Sequence, residues 1–353
     1  MNAISTATTS SVPRLLVTTS PHIQSGLSAS RVMWDVNLAM LPALVMAIHN
    51  FGLRAALVIG LSVAGAVAAE FLIQKFLLQK PSTLSDGSAV VTGILLAFCV
   101  PAALPLWVAF VGGFVAIALG KQAYGGLGQN IFNPAHVARA VLLASWPVYM
   151  TTWLKPGQGY GIADAVTTAT PLGLLKETAR DAQLMGKITA EGGNLISYVM
   201  EKLQITFSDL FLGINFSGSL GETSKLALII GGIYLLIRGH ISWHGPVAMT
   251  ATVFAGAFIV GGSFNYALFH LLTGGLIIGA LFMITDMVTS PMTNKGHLLF
   301  GFGCGAITLL IRLKGGYPEG VCYSILIMNA FVPLIDKFMI PKRFGTSSQE
   351  TVS

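Results

Sequence analysis

"VVTGILLAF" (residues 90–98) and "LLTGGLIIGALF" (271–282) are the two stretches on which the fold turns. Both are apolar and both carry a Thr-Gly pair, Thr92–Gly93 and Thr273–Gly274. Both run into a proline-marked break, "CVPAALPL" (99–106) and "TDMVTSPMTNKG" (285–296). Interrupted apolar segments in corresponding places of two chain halves point to a membrane protein built from inverted repeats, with its binding site where the repeats meet. Thr-Gly pairs are common in apolar helices, so the likeness matters only if the flanking chain also divides in two.

It does. Charged residues make up 10% of the 353 and hydrophobic ones 54%, where a soluble protein carries roughly 25% charge. The mean hydropathy is +0.74. A spanning helix needs about 20 largely apolar residues. Ten segments qualify, near 32–49, 53–74, 88–103, 105–121, 134–154, 225–238, 245–261, 266–285, 297–313 and 318–335. The expected fold class is an all-α polytopic membrane protein of about ten transmembrane helices, five on either side of the polar stretch 155–224. An odd number per half makes any relation between the halves an inverted one. Basic residues set the orientation. With the N-terminus in the cytoplasm, Arg14, Arg31, Lys75, Lys80, Lys121, Arg238, Lys295, Lys337, Lys342 and Arg343 lie inside, and only Arg54, Arg312 and Lys314 oppose them in short outer loops. The expected organisation is therefore a cytoplasmic segment 1–31, a first five-helix repeat 32–154, an extracytoplasmic loop 155–224, a second repeat 225–336 and a cytoplasmic tail 337–353.

Several function classes fall away. The formal charge of +6 comes from basic residues placed singly at the ends of apolar segments, so no nucleic-acid partner is expected; membrane lipid is. Cys99, Cys304 and Cys322 form no C-x-x-C pair, and no metal site or disulfide framework is expected from them. Residues 1–30 show no cleavable signal pattern. No G-x-G-x-x-G follows a strand, and no Walker motif or serine triad occurs.

Three clusters hold candidate chemistry. Asp286 opens "DMVTSPMTN", where a carboxylate and hydroxyls such as Thr289 stand beside an irregular backbone. Such groups suit a cation or a polar ring system, and equally a helix end capped at the membrane surface; both stay open. Asp35 and Glu70 read as interfacial. In "GGLGQNIFNPAHVARA" (125–140), Asn133 can cap the fifth helix with Pro134 at its first position. His136 and Arg139 then fall one turn apart, and a glycine-flanked helix start suits an anionic or carbonyl-bearing ligand. Finally, "DAVTTATPL" (164–172) crowds a carboxylate and three threonines before Pro171, inside the longest polar segment.

"SPHIQSG" (20–26), "GLGQNIFNPA" (126–135), "ITDMVTSPMT" (284–293) and "DAVTTATPL" (164–172) together resemble the D-subunit family of the Rnf complex. A more distant likeness is to the B subunit of the sodium-pumping NADH:quinone reductase. The resemblance runs over nearly the whole chain in the same order. It implies two inverted five-helix repeats, similar to urea transporters, in a multi-subunit inner-membrane redox pump. That pump exchanges electrons between ferredoxin and NAD and couples them to Na+ or H+ movement.

The resemblance also implies a use for the threonine cluster. The family's flavinylation pattern is matched by Asp164, Thr167, Ala169 and Thr170, with Thr168 standing where glycine is common. Thr170 would carry FMN through a phosphoester, installed by a flavin transferase that consumes FAD. A second, non-covalent flavin (riboflavin or FMN) is implied at the repeat interface. Asn133, His136, Arg139, Thr92, Thr273, Asp286 and Thr289 are the candidates for that site or for an ion path. Implied partners are the A and E membrane subunits, the flavoprotein G and the B and C iron–sulfur subunits. Without a dinucleotide fingerprint the chain would carry electrons and not oxidise NADH itself. The competing readings are a urea-transporter-like passive channel with Thr170 unmodified, and a structural scaffold.

Overall fold

A computed structural model describes residues 28–157, 169–190, 194–214, 216–222 and 224–340. Among the described residues the protein is all-helical, and one isolated antiparallel bridge joins Pro101 to Ser219. Every one of the ten apolar segments carries helix. Among the described residues, five helices are long and apolar enough to cross a membrane, or six if one bent pair counts as a single span.

The first of these, α1 (Ala29–Leu72), is 44 residues long. A straight helix of that length would measure about 66 Å, twice the hydrocarbon core. Gly52 breaks it, with φ 63° and ψ −150°, a conformation open only to glycine. The two arms fold back on each other. Ser30 near the start donates to Ser85 O at 3.3 Å, and Gln74 just past the end donates to the Thr83 hydroxyl at 2.7 Å. Both ends of α1 thus meet one short segment. That end of the bundle is here called proximal. The Gly52 end is distal: Asn50 binds Gly213 O, and Arg54 binds the carbonyls of Ala102 and Ala103.

α2 (Ser88–Phe98) has only 11 residues, about 16 Å, or half the membrane core. Pro101 and Pro105 forbid its continuation, and α3 (Leu106–Gly120) starts beyond them. α4 (Pro134–Ser145) ends before Pro147, which opens the short α5 (Pro147–Thr151). The fifth apolar segment is therefore two helices and not one span to residue 154.

Segment 155–224, expected as a loop, carries four short helices: α6 (Pro171–Arg180), α7 (Ala182–Ala190), α8 (Leu195–Leu203) and α9 (Phe207–Leu212). Thr170, Asn194 and Thr206 cap three of them, Thr206 through a capping box with Asp209. Leu172, Leu175, Ile196, Val199 and Leu210 form a small core against Phe269 and Leu272.

The second half runs α10 (Lys225–Ile237), α11 (His244–Gly261), α12 (Phe264–Leu272), α13 (Leu276–Ile278, continuing as a π-turn over Gly279–Met283), α14 (Asn294–Lys314) and α15 (Val321–Phe338). α12 and α13 are bent by 67° at Thr273–Gly275. Packing repeats between the halves. The second arm of α1 lies on α3 as α11 lies on α14. A Cβ at Gly65 or Gly113 would overlap the carbonyl of Phe110 or Ser62. One at Gly301 or Gly305 would crowd those of Gly245 or Met249. Close backbone approach through small residues is how apolar helices associate in lipid. Leu298, Phe302, Leu310, Ile237 and Ile259 remain exposed, as lipid-facing side chains would.

The Thr-Gly pairs are not equivalent in place. Thr92–Gly93 sit inside α2, with Gly93 against the Val63 backbone, whereas Thr273–Gly274 form the break itself, Gly274 at φ 72°.

Candidate functional site

Two clefts open at opposite ends of the interface between the halves. The distal cleft is a groove open to solvent on one side. α4 and α5 supply one wall (Arg139, Leu143, Met150), with Trp153 beyond them. The start of α6 supplies Thr170 and Leu172, and the far wall is Tyr317, Glu319 and Tyr323. Ala169 and Thr170 are the described part of the flavinylation pattern; Asp164, Thr167 and Thr168 lie outside the described residues.

Thr170 is the N-cap of α6. Its φ of −70° and ψ of 154° are extended, as a residue before proline should be. Its Oγ1 accepts from Gly173 N at 3.1 Å. Pro171 has no N–H, and Gly173 N and Leu174 N are given to the Thr170 hydroxyl and carbonyl, so what this helix start turns toward the threonine is chiefly the positive end of its dipole. The helix is pinned: Lys176 Nζ donates to Tyr317 O at 2.6 Å and Ile311 O at 3.1 Å, and Arg180 to Gly315 O at 3.0 Å. Two cations thus bind carbonyls at and just past the end of α14 and hold Thr170 at the cleft rim.

Beneath Thr170 lies a buried charge network. Arg139 pairs with Glu319 at 2.6 Å, each 12% exposed. Glu319 also accepts from Gly275 N, and Arg312 donates to His270 O and, at 2.9 Å, to Thr273 O. The break between α12 and α13 frees these backbone groups, and buried side chains re-satisfy them. Arg312 is therefore compensated internally and is not a free outer-loop charge.

Glu222 sits on the wall shared by this cleft and a small inner cavity too tight to hold a water molecule, where it meets Phe98, Cys99, His136 and Met283. Glu222 and Glu319 sit in connecting segments and differ in state. Burial, then the nearby Glu319 charge, pushes Glu222 up to about 7. Burial would raise Glu319 too, but the adjoining Arg139 guanidinium, Arg312 and the Gly275 N–H hold it below the ordinary carboxylate range.

The proximal cleft brings together Thr92, Asn133 and Asp286, with Lys121, Asn130 and His240 on an otherwise apolar wall. Asn133 caps α4 by accepting from Ala135 N and His136 N at 3.1 and 3.3 Å. Asp286 accepts from Val288 N and the Thr289 hydroxyl at 3.3 and 3.0 Å, so it caps a turn and lines the cleft at once. With its amide oriented to satisfy both neighbours, Asn329 ties the halves, accepting from Asn133 N at 3.0 Å and donating to Thr289 O at 3.2 Å. Glu70, at the proximal end of α1, is fully buried against Lys121 at 2.8 Å. Asp35 binds Tyr234, Arg238 and His240, latching α1 to α10.

The remaining candidates scatter. His136 is buried in the inner cavity, and neither ring nitrogen has a partner among the described residues. Thr273 is buried and its hydroxyl returns to Phe269 O at 2.6 Å; it lines neither cleft. Arg139 belongs to the distal cleft, away from Asn133 on the same helix.

The sequence model of the NQR2, RnfD, RnfE family matches residues 16–345. The chain belongs to this family. It is 48% identical over 334 residues to the D subunit of the proton-translocating ferredoxin:NAD(+) oxidoreductase complex of Clostridium ljungdahlii, covering 94% of this chain and 96% of that one. It is 45% identical, with the same coverage, to the D subunit of the Na(+)-translocating ferredoxin:NAD(+) oxidoreductase complex of Acetobacterium woodii. The D subunit of the ion-translocating oxidoreductase complex of Stutzerimonas stutzeri is 38% identical over 91% of this chain and 94% of its own. In this family member, sequence reading missed Glu222, Lys225, Arg312 and Glu319. A carboxylate beside glycine, as in "SLGETSK" (219–225) and "YPEG" (317–320), was the available signal for Glu222 and Glu319; Lys225 and Arg312 carried none.

Proposed function

We propose that this protein is the flavin-carrying membrane subunit of an Rnf-type complex, passing electrons between the ferredoxin and NAD branches coupled to Na+ or H+ translocation. Its partners are then the A and E membrane subunits, the flavoprotein G, the B and C iron–sulfur subunits, and a flavin transferase during maturation. The chain crosses the inner membrane ten times in two inverted, urea-transporter-like halves. The hairpin at Gly52 and the matched packing of α3 and α14 support that count. Both termini are cytoplasmic, which makes the proximal end cytoplasmic and the distal end extracytoplasmic.

The observation that carries the reading is the place of Thr170: a half-buried threonine capping an anchored helix start, at the rim of a walled cleft. The residues fit FMN held there through a phosphoester. The positive end of the α6 dipole suits the phosphate. Trp153 and the stacked Tyr317–Tyr323 pair, 5.4 Å apart, suit a ring system. Flavin supplies exchange between two-electron and one-electron carriers, which side chains cannot. Lys176 and Arg180 hold the tether, and Arg139 places a cation on the cleft wall. The proximal cleft, with Thr92, Asn133 and Asp286, is the place for a second, non-covalent riboflavin or FMN.

In a denaturing gel the subunit should fluoresce as a flavoprotein when made with the transferase, and Thr170→Val should be dark at undiminished protein level. Thr167→Val and Thr168→Val should keep at least part of the band. A fluorescent Thr170→Val protein would show a different attachment point, and a dark wild type would favour the passive channel.

A further inference from the structure

We infer that Glu222 is the proton-exchanging group of the distal cleft, binding a proton when negative charge enters the cleft and releasing it when that charge leaves. This rests on the reading of that cleft as a flavin site and adds a role that covalent attachment alone does not imply.

Glu222 is held in place by backbone. Gly221 N donates to Phe98 O at 2.9 Å and Leu220 N to Val100 O at 3.2 Å, tying segment 216–222 to the end of α2. A Cβ at Gly221 would press into the Phe98 side chain, so the segment cannot lift away without opening the core. The carboxylate is 6% exposed and lines both the cleft and the inner cavity. It accepts from Ser219 N at 3.4 Å, the long end of such bonds. Among the described residues no cation comes within ion-pairing distance of it.

The groups around it explain why it, and not a neighbour, exchanges the proton. On α10, Lys225 turns its ammonium to the Glu222 main-chain carbonyl and over the Phe216 ring, 5.2 Å from its centroid. On α4, Arg139 is committed to Glu319, and His136 faces the inner cavity. Arg312 on α14 is committed to the carbonyls of the α12–α13 break, and the Cys99 thiol at the end of α2 is buried. Glu319 carries Arg139 and the Gly275 N–H and stays ionised. Two carboxylates in one cleft with environments that push them apart in protonation is the arrangement that separates an acid–base group from a fixed charge.

The balance is simple. One electron arrives from a one-electron carrier of the iron–sulfur or flavin class, and one proton from water at the cleft mouth forms an O–H bond on Glu222. Net charge in the cleft is unchanged. When the electron leaves, that bond breaks and the proton returns to water. Because neutralisation offsets the cost of placing charge in a poorly solvated site, the electron affinity of the cleft should depend on pH through this group.

The test uses the full-length subunit made with its transferase, with in-gel fluorescence confirming the flavin first. Equilibrium redox titrations are run from the acid to the alkaline side of neutrality. Proton uptake on reduction is measured in weakly buffered solution with an indicator dye. In the wild type the midpoint potential should fall with rising pH more steeply than in Glu222→Gln, and reduction should take up more protons. Glu222→Asp should keep the steeper dependence with its inflection displaced, and it carries the test if Glu222→Gln fails to insert. Equal slope and equal uptake in wild type and Glu222→Gln, with the flavin present, would overturn this inference alone. A dark wild type would overturn the flavin reading and this inference with it.

Discussion

Removing Arg139 tests whether the floor of the distal cleft is an ion pair in function as well as in position. Arg139 and Glu319 meet at 2.6 Å, both 12% exposed. At 4 Å and an effective dielectric of 20, opposite charges attract by about 4 kcal/mol, so a shorter contact offsets much of the pair's desolvation. Deleting one partner strands the other. Arg139→Met should lose about 3–5 kcal/mol of stability, because Glu319 remains buried with Gly275 N as its nearest partner. Glu319→Gln should lose less, about 1.5–3 kcal/mol, since the amide oxygen can still accept from Gly275 N. The double variant should then cost about 2 kcal/mol less than the sum of the singles. The pH dependence has a definite sign. Arg139 holds Glu319 below the ordinary carboxylate range. The pair's contribution is therefore complete above the unfolded carboxylate pKa and is lost as pH falls through the lower folded value. In Arg139→Met that support is gone and burial raises Glu319, so the variant's deficit should shrink on acidification while the wild type loses stability. Equilibrium unfolding in mixed detergent micelles, at neutral and mildly acidic pH, reads all four proteins. Additive single costs, or an Arg139→Met deficit that grows in acid, would refute the pairing.

Three further outcomes follow from the same structure. Lys176→Met with Arg180→Met should free α6 from the end of α14, so protease should cut near Thr170 at least tenfold faster, in line with about 1.4 kcal/mol or more of lost docking; unchanged cleavage would show that the small apolar core of α6 and α8 suffices. With the native cysteines removed, Gly157→Cys should react with an impermeant thiol reagent in intact cells and Ser348→Cys should not; the reverse pattern would invert the topology. Asp286→Asn should keep the protein inserted and assembled but lower its content of non-covalent flavin, measured after acid extraction, whereas full content would leave Asp286 only its capping bonds to Val288 and Thr289.

What could be read from sequence is what local physics writes locally. The cap and first turn at Asn133–Pro134, the extended Thr170 before Pro171 and the proline ends of α2 and α4 all follow from single residues and their neighbours. Helix positions in both halves followed from apolar runs. The charge network did not, because its members are far apart in sequence: Arg139 and Glu319 are separated by 180 residues and Lys121 and Glu70 by 51. No periodicity records such pairs. The helical order of 155–224 was hidden for another reason. Its helices have six to ten residues, too short to hold together without the tertiary core they form with α12. The Thr-Gly match misled in detail, since the second pair is the break and the first precedes one by several residues.

The separation of the two clefts bears on how the proposed electron carrier differs from a solute channel on a related scaffold. Between the clefts lie the buried side chains of Phe98, Ile278 and Met283, with His136 enclosed among them. A passive channel for a polar solute needs a continuous polar lining, because each unsatisfied hydrogen bond in a dry passage costs several kcal/mol. An electron carrier needs the opposite: two cofactor sites fixed on one rigid body, with packed protein between them and water kept out. The broken helices serve that end. Arg54 and the amides of Leu220 and Gly221 close the carbonyls exposed past the end of α2, and Arg312 and Glu319 close the groups exposed at the α12–α13 break. The interruption that in a channel would open a path here builds a wall with a cleft on either side. On this reading, removing bulk from the wall should let water and small solutes into a passage that the packed side chains keep shut. Met283→Ala, which opens space at the inner cavity, should admit polar solutes into vesicles holding the purified protein, while the wild type stays tight to them. A wild type already permeable to small polar solutes would return the scaffold to the channel class.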